Sequence, residues 1–214
     1  MNNRKKDILT AVLLSLFIIS FAVCFIIFFK SLYHLDIDLL HISEYSGYTK
    51  EVLIRNYDIL IDYMSIFYRG ELHFPDFRMS ETGRIHFEEV KRIFEGIQIL
   101  MVTTGILSAL CIYNRHKEKE YRYLKMTSIL SIEIPLILGL VVCADFDSAF
   151  IIMHKIFFRN EYWIFDLYDD PIVGILPHDF FMYSFIAIII VIVVLSLICY
   201  FVYKRYEKRV LEEN

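Results

Sequence analysis

The stretch HFEEVKRIFEGIQILMVTTGILSALCIY, His86–Tyr113, begins charged and ends apolar, with no proline to interrupt it. From about Ile93 to Tyr113 it is long and apolar enough to cross a bilayer core, which takes roughly 20 mostly apolar residues. The helical pattern does not break at Lys91, Arg92 or Ile93, so one helix is expected to run from His86 down into the span. Glu88 and Glu89 lie in its first turn, where the helix dipole favours negative charge. At a rise of about 1.5 Å per residue, His86 then stands roughly 10 Å above the hydrocarbon, near the ester region of the lipids.

Three further segments meet the same criterion, at about Ile8–Phe29, Tyr123–Cys143 and Phe180–Tyr203. The 214-residue chain is 57% hydrophobic and 16% aromatic, with a mean hydropathy of +0.50, values that belong to a small membrane protein. The expected fold is an all-α polytopic membrane protein with four transmembrane helices, forming one membrane domain over 1–214. The net charge of −4 says little, because the charges are segregated. Arg4, Lys5 and Lys6 precede the first span. Arg115, Lys117, Lys119 and Arg122 fill the connection between the second and third, and Lys204, Arg205, Lys208 and Arg209 follow the fourth. Clustered Lys and Arg mark the cytoplasmic side, so both termini are expected inside. The connections 30–92 and 144–179 then form an extracellular cap. The first segment could be a signal peptide, but its apolar run is long and no small-x-small cleavage site follows. Val23 is too bulky for a lipoprotein processing box ending at Cys24, so an uncleaved anchor is expected. Cys24, Cys111, Cys143 and Cys199 all fall within spans, leaving the cap without a disulfide framework. Cys24 and Cys143 lie at similar depth and could meet, although packed free thiols are the simpler reading.

The connection 30–92 is too long to be an unstructured loop in a compact protein. Tyr48–Tyr68 has a helical pattern carried by Val52, Ile59, Tyr63 and Ile66. LHFPDFRMSETGRIHF, Leu72–Phe87, reads as short extended pieces around a turn at Thr82-Gly83. In the other connection, DFDSAFIIMHKIFF, Asp145–Phe158, reads as an amphipathic helix lying in the membrane interface. Asp147, Phe150 and His154 would share one face, joined by Phe157 and Phe158. Tyr162 and Trp163 suit an interfacial belt, and Pro171 and Pro177 turn the chain into the last span. His86 and His154, on separate outer segments, thus converge at one membrane depth.

Other motifs carry less. No H-x-x-x-H or comparable ligand spacing points to a metal, and no phosphate-cradling loop or nucleic-acid signature is present. Ser148 near Asp147 and His154 lacks the surroundings of a nucleophile elbow. Glu133 is a carboxylate within a span, which by default raises a functional hypothesis. The plainer reading is a protonated side chain hydrogen-bonded to Gln98, Thr103 or Thr104.

RIHFEEVKRI, Arg84–Ile93, followed by FDSAFIIMHKIFFRNEYWIFDLYDDPIVGILPHDFF, Phe146–Phe181, resembles the lipoprotein intramolecular transacylase family of Gram-positive bacteria. RNYDILIDY, Arg55–Tyr63, fits the family's outer helix, and the likeness covers nearly the whole chain. One departure stands at Glu89, where Asp is expected and the charge is kept. The resemblance implies an enzyme of the bacterial plasma membrane, acting on diacylated lipoproteins among membrane lipid, with no cofactor and no nucleic acid. The implied reaction moves the sn-2 acyl chain from glycerol to the α-amino group of the N-terminal cysteine, giving the lyso form. It maps the two catalytic histidines onto His86 and His154. Tyr57, Phe150, Phe157, Phe158, Tyr162 and Trp163 would wall the substrate cavity. On the residues alone two other classes stay open: a small transporter or conduit using Glu133, and a non-catalytic membrane chaperone. The sequence leaves the oligomeric state open.

Overall fold

One helix start in this chain, capped by Ser80, changes the expected layout of the connection 30–92. The computed structural model describes residues 2–212, and among these no strand occurs. The helices are α1 (Asn3–Phe28), α2 (Ser31–Leu39), α3 (Ile42–Ser46), α4 (Lys50–Tyr63), α5 (Glu81–Lys117), α6 (Arg122–Ala144), α7 (Phe146–Phe157) and α8 (His178–Glu212). A 3-10 turn, Pro171–Ile175, precedes α8. α1, α5, α6 and α8 contain the four expected spans and are long and apolar enough to cross a membrane. The chain divides into two compact units.

The first unit comprises Met1–Val23, Ile97–Leu140 and Ala187–Asn214. Spans pack closely where small residues let backbones approach. Ala11 and Ala22 are fully buried here, and a Cβ at Gly105 would lie 3.0 Å from the Phe17 ring. The hydroxyls of Ser131 on α6 and Ser196 on α8 meet at 2.6 Å. Arg115 is only 1% exposed: its Nε and Nη2 donate to Asp7 Oδ1 at 3.0 and 2.7 Å, and Nη1 to Glu118. It is therefore a buried ion pair rather than one more solvated positive charge. Glu133 is exposed on α6, and Thr104, one of its expected partners, donates to the Leu100 carbonyl at 2.6 Å. Cys111 and Cys199 are free thiols.

The second unit comprises Cys24–Gly96 and Val141–Ile186. Tyr33, fully buried, stacks on Tyr57 at 3.9 Å between centroids and donates its hydroxyl to the Ile175 carbonyl at 2.9 Å. Phe180 meets both rings edge-on. Cys24 is a free, buried thiol; its suggested meeting with Cys143 lies outside the described residues, because the Cys143 side chain is not among them. The helix expected within Tyr48–Tyr68 is α4, and the expected Tyr63 is buried on it, but the rest of its buried face runs through Leu53, Tyr57, Leu60 and Ile61. Val52 and Ile59 are only partly buried, and Ile66 lies beyond the helix. Asn56 masks that face in the sequence. It is fully buried because its Nδ2 is satisfied by the Val52 carbonyl at 2.8 Å and by Asp76 at 2.6 Å.

The expected turn at Thr82-Gly83 is instead the first turn of α5, and 72–79 is irregular rather than extended strand. Ser80 is the reason. Its hydroxyl accepts from the Gly83 N–H at 2.9 Å, the work of a helix N-cap. Asp170, 2% exposed, fixes Ser80 by accepting from its N–H and its hydroxyl, both at 2.7 Å. A Cβ on Gly83 would stand 2.3 Å from Asp170 Oδ1. Gly83→Ala is therefore expected to lower unfolding stability by about 1–3 kcal/mol, the usual cost of overpacking. Gly96→Ala, with open space around its Cβ, should be neutral or gain up to about 1 kcal/mol of helix propensity. Thermal unfolding of both variants in detergent checks this; equal behaviour of the two would show that Gly83 is not tightly packed.

Candidate active site

α7 begins at Asp145, whose side chain accepts from the Ser148 N–H at 3.0 Å and its hydroxyl at 2.6 Å. Ser148 is thus occupied in a helix cap and has no part in a triad. At i, i+4 spacing, Phe146, Phe150 and His154 form a ladder of rings, with centroid separations of 6.1 and 4.1 Å. The opposite side of α7, including Ile151, Ile152, Ile156 and Phe157, is exposed apolar surface. Such a side suits a helix in a membrane interface.

His154 faces His86 on α5, their ring centroids 6.0 Å apart and their planes 26° from parallel. Both are buried, at 8% and 5% exposure. Phe158 lies against both rings, at 4.6 Å from His86 and 5.5 Å from His154. Phe165 meets His86 edge-on at 5.3 Å, and Trp163 covers His154 at 4.9 Å. The chain from Phe158 to Trp163 is held by Asn160. Its Nδ2 donates to both carboxylate oxygens of Glu89, its Oδ1 accepts from the Tyr162 N–H, and its carbonyl accepts the Trp163 indole N–H at 3.1 Å.

The expected wall residues therefore separate. Phe150, Phe158 and Trp163 contact the histidine pair. Phe157 and Tyr162 are exposed, at 56% and 38%, and Tyr57 sits in the aromatic core with Tyr33 and Phe180.

The family model described as lipoprotein intramolecular transacylase Lit matches residues 8–181. The chain belongs to the lipoprotein intramolecular transacylase family. The solved structure of the membrane-integral transacylase Lit from Bacillus cereus is 37% identical, covers 96% of each chain and superposes with a TM-score of 0.94. Two structures of that enzyme with one histidine replaced, by arginine or by alanine, are each 36% identical, with TM-scores of 0.90 and 0.88. They cover 99% and 96% of this chain and 94% of theirs. Among curated proteins, none matches. The chain is thus a multi-pass membrane acyltransferase acting on lipoproteins, and the transporter and chaperone readings give way.

In this transacylase the histidine pair is tuned toward neutrality. Burial, and then the neighbouring His154, lower the His86 imidazole to about 4. Burial also lowers His154, opposed by its hydrogen bond to the Phe150 carbonyl. That bond, 2.8 Å from Nδ1, fixes the tautomer, since a carbonyl can only accept. In neutral His154 the proton sits on Nδ1 and Nε2 carries a free lone pair. Nδ1 of His86 is buried and has no hydrogen-bond partner, which is costly unless a substrate completes it. Among the described residues no group of three His, Cys, Asp or Glu could hold a metal ion.

Sequence reasoning passed over Asn160, Phe165 and the pairing of His178 Nδ1 with Asp147 Oδ1 at 2.8 Å. A lone amide among aromatics was the available signal for Asn160, because a polar group in such a setting needs a partner.

Proposed function

We propose that this transacylase moves the sn-2 acyl chain of a diacylglyceryl lipoprotein onto the α-amino group of its N-terminal cysteine, with His86 and His154 as the acid–base pair. The observation that carries the reading is the pair itself: two buried imidazoles facing each other within an aromatic enclosure. His154 Nε2 accepts a proton from the amine as its nitrogen attacks the ester carbonyl. The glyceryl C–O bond breaks, and an N–H of His86 supplies the proton that the departing oxygen takes up. Proton return from His154 to His86 restores the pair, so the net change is isomerisation of the lipopeptide. An ester becomes a more stable amide, which requires no energy source. Counting from the amine through sulfur and glycerol to the acyl carbon closes an eight-membered ring, and holding its ends together is the enzyme's main contribution. The distribution of Lys and Arg supports a cap on the outer face of the bacterial plasma membrane, with both termini inside.

Tandem mass spectrometry of a diacylated lipopeptide incubated with the purified enzyme tests the reading. Intact mass should stay constant while the dehydroalanyl N-terminal fragment, left after loss of the S-glyceryl group, carries one acyl group. Loss of an acyl chain, or uptake of a labelled chain from phospholipid, would overturn it.

The pH dependence follows from the same groups. Transfer requires a neutral amine and a neutral base. His86, at about 4, is deprotonated throughout the neutral range, and His154 is shifted in the same direction. The substrate amine, with a reference pKa of about 7.7–8.0, is the last group to lose its proton as pH rises. kcat/KM should climb about tenfold per pH unit below that range and level off above it. A limb that steepens to about a hundredfold per pH unit below about 6.5 would instead report an ordinary, solvated histidine.

A further inference from the structure

Glu89 stands one turn beyond His86 on the same side of α5, half-buried. The neighbouring carboxylates have cations: Glu88 pairs with Arg84, and Glu95 with Lys91 at 3.2 Å. Glu89 has none among the described residues, and Arg92 and Arg159, close in sequence, are exposed without an ion pair to it. Both its oxygens share the single donor group Nδ2 of Asn160, at 2.9 and 3.1 Å. A carboxylate offers about four acceptor sites, so most of its capacity is unused. Asn160 also anchors Trp163, which covers His154. The carboxylate is thus held by Asn160 at the seam between the two histidine-bearing segments, one helical turn from His86, whose buried Nδ1 lacks a partner.

We infer that Glu89 is the subsite for the substrate's α-ammonium group, an inference that rests on the transfer proposed above. Near neutral pH most of the amine arrives protonated, given its reference pKa of about 7.7–8.0. The diacylglyceryl portion is uncharged, so this ammonium is the one charge that must enter an enclosure otherwise built of aromatic rings. Moving it there without a counter-charge is costly. Glu89 offsets that cost and places the nitrogen one helical turn from His86. Binding forms no covalent bond, and the proton that blocks attack leaves afterwards to solvent, so that His154 stays neutral for the attack.

The test uses a dialkyl-ether analogue of the lipopeptide, which binds but cannot transfer, and its desamino counterpart as competing inhibitors. Wild type should bind the amine form about tenfold more tightly, and Glu89→Gln should bring the two within about twofold, as expected for losing a charge-assisted hydrogen bond. Gln keeps an acceptor for Asn160, so the brace to Trp163 persists and a merely structural role would leave the preference intact. Glu89→Asp should retain it. In the same assay the apparent KM of the diacyl substrate should rise about tenfold in Glu89→Gln, with kcat changing less. An unchanged preference in Glu89→Gln, or no preference in wild type, overturns the subsite while leaving the transfer reading standing. The wild-type comparison decides even if Glu89→Gln does not fold. Wild type that fails to isomerise the diacyl substrate overturns the transfer reading, and this inference with it.

Discussion

His154→Ala and His86→Ala are each expected to lower acyl transfer by about 10²–10⁴-fold, the range for losing a general acid or base, while the protein still inserts and folds. His154→Ala removes the member of the pair whose tautomer is fixed: with Nδ1–H held by the Phe150 carbonyl, Nε2 is free to accept. His86→Ala removes the partner whose buried Nδ1 awaits completion. If the two imidazoles work as one proton-moving unit, the double variant should be scarcely slower than either single one, because removing half of a unit already removes its action. Initial rates by tandem mass spectrometry, with thermal unfolding as the folding control, provide the measurement. A folded single variant with near-normal conversion would reduce that histidine to a buried aromatic. Multiplying losses in the double variant would mean that the two act independently.

Much of the fold was legible because the spans are written in length and composition, and because α7 carries a clean i, i+4 ladder of rings. The parts that escaped depend on partners distant in sequence. Ser80 reads as a helix cap only once Asp170 fixes it, 90 residues away. Glu89 looked like an ordinary first-turn carboxylate until Asn160, 71 residues on, closed over it. The buried side of α4 was misjudged because Asn56 interrupts it, and only Asp76 makes that amide tolerable inside. Arg115 was counted with the basic connection, but it lies in the last turn of α5, and its burial against Asp7 had no local signature. The structure does bring together the two histidines that the sequence placed on separate outer segments. Choosing which aromatics surround them required the path of the chain after α7. Phe157 and Phe158 are adjacent, and only Phe158 turns inward.

Phe158 and Trp163 are expected to act by confinement, and Phe158→Ala or Trp163→Ala should slow transfer by about 10–100-fold, the cost of loosening a near-attack geometry. Neither side chain titrates. Phe158 lies against both imidazoles, and Trp163 closes over His154 while tied to Asn160. Removing either lets the amine and the ester carbonyl separate, and a medium ring that closes reluctantly is sensitive to that freedom. Trp163→Phe keeps a flat apolar wall and should recover much of the rate, short by the lost indole hydrogen bond, about 1 kcal/mol. The plateau of kcat/KM at high pH discriminates this account from electrostatic tuning. Water entering the enlarged enclosure would raise the histidines toward their ordinary value near 6.5, still below the amine at about 7.7–8.0. The amine therefore continues to set the midpoint, and the plateau alone should fall. A plateau left intact, with only the acidic limb altered, would mean that these rings tune a proton acceptor, and confinement would be the wrong explanation for an aromatic wall around two histidines.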